Sequence, residues 1–180
     1  MSGSDERLFD SRQVRRAFGR AAAGYDAASP IQREIESRLL ESLDHWTMRH
    51  ADAAPAVVVD VGCGPARAAQ ALRTRWPKSR VRAIDAALPM LHAAEANTRG
   101  QFLRQREIGR IGGDLRMLPL ATDSVDLLFC NLALQWIEDL STAFAEFRRV
   151  MRPGGLLLAT TFGSQTLIDL REAFEAADAI

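Results

Sequence analysis

The segment Val57-Val58-Val59-Asp60-Val61-Gly62-Cys63-Gly64-Pro65-Ala66-Arg67 limits most sharply what this chain can fold into. Its valine run reads as a strand buried on both faces of a parallel sheet, and a helical stretch follows the glycines. A turn that passes from strand to helix through Gly62 and Gly64 uses dihedral angles closed to other residues. It also leaves main chain without Cβ atoms, open to close approach by a ligand. In open α/β sheets the ligand crevice lies beyond the carboxyl ends of the strands, where this turn falls.

The remaining pattern alternates in the same way. Residues 56–61 read as the first strand, 66–76 as a helix, 81–84 as a second strand and 89–98 as a helix opened by Pro89. A weaker strand follows over 108–112, a strong one over 125–130 and an amphipathic helix over 140–151. Pro153-Gly154-Gly155 reads as a turn, 156–162 as a fifth strand, and a last helix is expected from Gln165 to the end. Such alternation predicts a doubly wound, mostly parallel sheet with right-handed crossovers, an α/β fold of Rossmann-like type.

Residues 1–50 differ. After a polar start, Val14, Ala17 and Phe18 share one helical face, and Gly24 marks a turn. Ser29-Pro30-Ile31-Gln32 has the form of a helix start, with Ser29 as cap and Pro30 in the first turn. Ile31, Ile35, Leu39, Leu43 and Trp46 then recur at helical spacing to about residue 49. The expected division is an N-terminal helical segment, 1–50, on a ligand-binding core, 51–180, in one structural domain.

A formal net charge of zero gives no global pull toward nucleic acid or anionic membrane, so charged partners must be sought in local patches. Two exist: Arg12, Arg15, Arg16 and Arg20, and the stretch Arg67, Arg73, Arg75, Lys78, Arg80 and Arg82. Each reads either as a solvated helix face or as a docking site for an acidic partner. Cys63 and Cys130 lie in separate apolar segments without metal-ligand spacing, so neither a metal nor a disulfide is expected. No run is apolar and long enough for a signal peptide or a membrane span, which predicts a cytoplasmic chain.

The spacing also narrows the ligand. A dinucleotide loop wants a third glycine at position 67, where this chain has Arg, and Asp60 precedes the first glycine by two residues. A carboxylate there suits an amino-acid cation better than a diphosphate. Asp85, followed by Ala86, closes the second strand about twenty residues further on. From there an ionised carboxylate can accept from both hydroxyls of a ribose, although the same residue also reads as a helix cap. Asp114 and Leu115 sit in a loop as a further contact or as a turn cap, and Asn131 ends the fourth strand.

The pattern acidic-x-Gly-x-Gly resembles motif I of the class I S-adenosylmethionine-dependent methyltransferases. Phe129-Cys130-Asn131-Leu132-Ala133-Leu134-Gln135-Trp136, Arg149-Val150-Met151-Arg152-Pro153-Gly154-Gly155 and the stretch from Val14 to Asp26 narrow the likeness to the malonyl-acyl-carrier-protein O-methyltransferases of biotin synthesis. That resemblance implies S-adenosylmethionine as cofactor, with S-adenosylhomocysteine as product. It implies Tyr25, Asp60, Gly62, Cys63, Gly64, Asp85, Ala86, Asp114, Leu115 and Asn131 as cofactor-binding residues. Tyr25, Asn131 and Trp136 would position the reaction, with Tyr25 in a lid. Without the resemblance, Tyr25 and Trp136 read as core or interface aromatics. Ala66 stands where the family has a third glycine, a change expected to narrow the cofactor's space.

The implied acceptor is the free carboxylate of a malonyl group on acyl carrier protein, which is already ionised at pH 7 and needs no general base. His45, His50 and His92 accordingly show no catalytic arrangement. Two other readings stay open: a methyltransferase acting on another small acceptor, and a cofactor-binding module without catalysis. The implied fold continues past the fifth strand with a helix and an antiparallel hairpin, so C-terminal strands are expected to be missing here, leaving 156–162 as a hydrophobic edge. A truncated chain, an edge covered by a second copy, or a natural short form would each account for that edge; truncation is favoured.

Overall fold

The computed structural model describes residues 10–49, 54–99, 107–163, 165–166 and 168–178. Three helices come first: α1 (Ser11–Ala21), α2 (Tyr25–Ala28) and α3 (Pro30–Arg49). The core follows as β1 (Val57–Val61), α4 (Arg67–Arg75), β2 (Arg80–Asp85), α5 (Leu88–Ala93), α6 (Glu95–Thr98), β3 (Gly109–Gly112) and β4 (Val125–Asn131). A 3₁₀ turn (Leu134–Trp136), α7 (Leu140–Val150), β5 (Met151–Thr160) and α8 (Ile168–Asp178) complete it. All strand pairs are parallel and the order is β3-β2-β1-β4-β5. The chain therefore reverses direction across the sheet between β1 and β4, which opens a crevice at their carboxyl ends.

Strand alternation divides the core into two layers. Val58, Leu127 and Phe129 face α3 and α4, where Leu43, Ala69, Leu72 and Trp76 complete one buried cluster. Val59, Val61, Leu128 and Cys130 point the other way, against Phe147 and Val150 of α7. On the first face, the buried Arg73 guanidinium donates to the carbonyl oxygens of Thr98 (2.9 Å) and Arg99 (3.1 Å). It thereby satisfies carbonyls at the end of α6 that no helical N–H can reach. The N-terminal helices dock on α5 through Ala22, Ala87, Met90, Phe18 and Tyr25.

Four details differ from the sequence expectations. Pro153-Gly154-Gly155 is not a turn between elements but a bulge inside β5, where pairing steps from Val125↔Met151 to Leu127↔Leu156. Proline has no N–H to give a ladder, so it falls in the unpaired stretch, and Gly154 takes φ +81°. Arg152 fastens the bulge, reaching Asp126 at 2.7 Å and the Asp123 carbonyl at 3.1 Å. The helix over 89–98 is divided at Ala94, where ψ relaxes to −9°. Ile31 is exposed rather than part of the buried stripe of α3. The Ser29 hydroxyl donates back to the Tyr25 carbonyl at 2.7 Å, tying α2 to the start of α3. Residues 156–160 pair with β4 on one side and stay half-buried.

Candidate functional site

At the carboxyl ends of β1, β2 and β4, a cleft of about 760 Å³, partly open to solvent, lies under α1 and α2. Of the residues expected at the site, Tyr25, Gly62, Gly64, Asp85, Ala86, Asp114, Leu115, Asn131 and Trp136 line it. The mixed apolar and polar lining suits a small organic ligand. Gly62 and Gly64 adopt φ +67° and +50°. A Cβ on Gly62 would stand 2.4 Å from that of Ala133, so side-chain-free main chain is a packing requirement there.

Asp85 is the polar centre of this cleft. Its Oδ2 accepts from the Gly64 N–H at 2.9 Å and its Oδ1 from the Ala87 N–H at 2.8 Å. Ala87, not Asp85, occupies the cap position of α5, so the helix-cap reading is set aside. Burial pushes its pKa up, and the two N–H donors pull it back. Each carboxylate oxygen accepts one bond here and so keeps acceptor capacity for one hydroxyl donor.

Asp60 and Cys63 do not line this cleft. Strand alternation turns Asp60 toward the α3–α4 layer, into an adjoining compartment shared with Tyr25, Gly62, Gly64 and Asn131. There its Oδ2 accepts from the Ala69 N–H at 3.1 Å. Its pKa is pushed well up, first by burial and then by the charge of Glu36. Burial likewise raises Cys63, a neutral thiol at pH 7. Asn131 bridges three elements: its amide donates to the Gln32 carbonyl at 3.2 Å and its oxygen accepts from Thr160 at 2.6 Å. Asp114 is held by Arg116 in a two-point pair, 2.7 and 3.0 Å, and also accepts the Arg116 N–H, so it does close a turn. That pair holds its carboxyl below the usual carboxylate range.

The aromatic residues form the roof. Phe18 of α1 meets Trp136 edge-on at 5.4 Å and Tyr25 at 6.1 Å. Burial, then the charges of Asp85, Glu36 and Asp26, push the Tyr25 phenol up, so it is a neutral donor above the glycine turn. Ala66 corrects the expectation of a narrowed ligand space. It is fully buried in the α3–α4 cluster and lines neither compartment. Its departure from glycine is felt in the backbone instead, at φ 60°, ψ 36°.

A family model described as a methyltransferase domain matches residues 59–159, spanning β1 to β5. The chain belongs to this methyltransferase domain family. A curated relative from Xylella fastidiosa, named malonyl-[acyl-carrier protein] O-methyltransferase, is 52% identical over 173 residues, covering 96% of this chain and 56% of its own length. One of the same name from Methylovorus is 42% identical, covering 94% and 56%. The chain thus spans about half the length of the curated relatives it matches. Among solved structures, a Methanococcus maripaludis protein provisionally named an S-adenosyl-L-methionine-dependent methyltransferase superposes with TM-score 0.64 at 23% identity, covering 99% of this chain and 75% of that one. An Aquifex aeolicus SAM-dependent methyltransferase gives 0.51 at 23%, covering 58% and 55%. At that identity the likeness concerns the fold.

The chain also brings to the site residues that no sequence motif singles out. Gln32, Arg33 and Glu36 of α3 and Arg67 of α4 wall the second compartment. Glu36 is mostly buried, 19% exposed, with Arg67 3.9 Å away. Burial pushes its pKa to about 7, Arg67 opposes the shift and Asp26 adds to it. Arg33 donates to the Asp26 carbonyl. A signal was present: the buried face of α3 runs from Leu43 through Leu40 and Leu39, then turns polar at Glu36, Arg33 and Gln32 instead of ending. In the main cleft, Ser11, Val14, Arg15, Phe18, Met90 and Ile137 join the wall. Of the histidines, His45 and His92 are exposed and away from the site, and His50 lies outside the described residues. Among the described residues no metal-binding cluster occurs, and no helix is long and apolar enough to cross a membrane.

Proposed function

We propose that this domain binds S-adenosylmethionine across the two compartments and directs its methyl group to the carboxylate of a malonyl thioester on acyl carrier protein, a step of biotin synthesis. The observation that carries the reading is the junction at Gly62 and Gly64. An apolar-walled cleft with a free-sided carboxylate adjoins there a charged compartment holding both carboxylates and guanidinium groups. A nucleoside joined to a zwitterionic amino acid has that polarity. Asp85 would take the ribose hydroxyls, with Ala86, Leu115 and Met90 against the base. Asp60 and Glu36 would face the ammonium, and Arg33 or Arg67 the amino-acid carboxylate. Asp114 would reach the base only beside its existing pair with Arg116. The names of the curated relatives support the choice of acceptor.

The cofactor supplies an electrophilic methyl group on a sulfonium. The chain's own part is positioning and exclusion of water, because an ionised acceptor needs no proton removed. Phe18, Tyr25 and Trp136 close the roof, and burial of an acceptor carboxylate beneath them requires a cation. Arg15 and Arg116 both line the cleft. Arg116 already makes its two-point pair with Asp114, so the role falls to Arg15 on α1. Residues 1–50 then act as the lid segment.

The test is transfer of labelled methyl from S-adenosylmethionine to malonyl-acyl carrier protein, malonyl-coenzyme A and free malonate. Methyl ester on the thioesters but not on malonate supports the reading. Binding of S-adenosylhomocysteine without transfer to any acceptor would leave a cofactor-binding module in its place.

A further inference from the structure

The two basic stretches of the sequence have different fates in the fold. In the second, Arg73 is buried on backbone carbonyls, Arg75 is bonded to Asp44 at 2.6 Å and lies over Trp76, and Arg67 faces Glu36. Arg73 and Arg75 thus serve the domain's own structure and Arg67 walls the second compartment, while Lys78 and Arg80 are exposed but line neither compartment. In α1 the pattern is the reverse. Arg12, Arg16 and Arg20 follow one another at i, i+4 and i+8, so they form a single stripe along the helix. All three are exposed, and among the described residues no carboxylate pairs with them. The opposite face of the same helix, Ser11, Val14, Arg15 and Phe18, lines the cleft. A helix is only about 10 Å across, so whatever binds the stripe stands one helix diameter from the site.

We propose that the Arg12–Arg16–Arg20 stripe is the docking surface for an acidic protein, the carrier that presents the acceptor to the cleft. This identification of the partner rests on the reading given under Proposed function. Three like charges at four-residue spacing in an 11-residue helix repel one another, and only Arg20, in the last turn, is favoured by the helix dipole. An acidic surface laid on them relieves that repulsion and steers encounter, with a strong dependence on salt. The location also gives the helix two roles: Arg15 meets the small acceptor inside, and the stripe holds its carrier outside.

The experiment measures binding of fluorescently labelled malonyl-acyl carrier protein to the chain by anisotropy, with S-adenosylhomocysteine affinity and circular dichroism as controls for folding. The triple variant Arg12→Gln, Arg16→Gln, Arg20→Gln is expected to lose carrier affinity at least tenfold and to flatten its salt dependence, with S-adenosylhomocysteine affinity within twofold of the original. In the transfer assay KM for the carrier rises and turnover of malonyl-coenzyme A is unchanged. Equal carrier affinity in the variant, or binding indifferent to salt, overturns the proposal, as does absence of carrier binding by the original chain. Carrier binding lost in the variant, with no transfer by either protein, supports the docking surface and refutes the proposed activity.

Discussion

Replacing Glu36 by Gln should stabilise the protein far more at pH 8 than at pH 5. The carboxyl is 19% exposed, and burial lifts its pKa from an ordinary 4.5 to about 7 despite Arg67 at 3.9 Å. The folded chain therefore keeps the proton at pH values where the unfolded chain has released it, and stability falls as pH rises between those values. Below about pH 4.5 both states are protonated and the residue costs nothing. Above about pH 7 both are ionised, and the cost levels off at 2.5 units times about 1.36 kcal/mol, or about 3 kcal/mol. At pH 5 the same linkage gives under about 1 kcal/mol. Gln matches Glu in shape and helix propensity, so the difference isolates the charge. Urea unfolding at both pH values, with unchanged m-values, reads it directly. A variant equally stabilised at the two pH values, or destabilised at pH 8, would refute the reasoning. A cost retained at this position has a function if a ligand's ammonium is received there: affinity for S-adenosylhomocysteine should rise with pH through 7 in the original chain and lose that dependence in the variant.

Three further outcomes follow from the geometry. Gly62→Ala meets Ala133 at 2.4 Å and strains a φ of +67°, together at least about 2 kcal/mol, and adding Ala133→Gly should recover the steric part in thermal melts. Asp85→Asn exchanges a charged acceptor for a neutral amide and should weaken S-adenosylhomocysteine and 5′-methylthioadenosine alike by about ten- to a hundredfold in titration calorimetry. Glu36→Gln at pH 8, in contrast, should weaken only the former, because 5′-methylthioadenosine has no amino acid. Cys63 and Cys130, their thiols pushed up by burial, the latter to about 12, should resist iodoacetamide at pH 8 until urea unfolds the chain.

The strands and the glycine turn were legible because they depend on local rules: β-branched runs for buried parallel strands and the residue type that takes positive φ without a Cβ clash. The same rules place Asp85 at the end of the second strand, but its bond from the Gly64 N–H comes from the pairing of β1 with β2, which no local pattern shows. Orientation across the sheet was harder. Asp60 sits two residues before Gly62, yet the pleat turns it into the α3–α4 layer rather than the cleft. Contacts distant in sequence were hidden altogether: Glu36 meets Arg67 only because α3 packs against α4. Pro-Gly-Gly has the same local chemistry in a turn and in the bulge of β5, and only pairing with β4 decides between them.

Titration calorimetry of the chain with S-adenosylhomocysteine tests the central claim most directly. The account predicts saturable one-to-one binding that Asp85→Asn weakens at least tenfold and that an S-adenosylmethionine competitor displaces. Absence of saturable heat, or binding of full strength in the Asp85 variant, would contradict it.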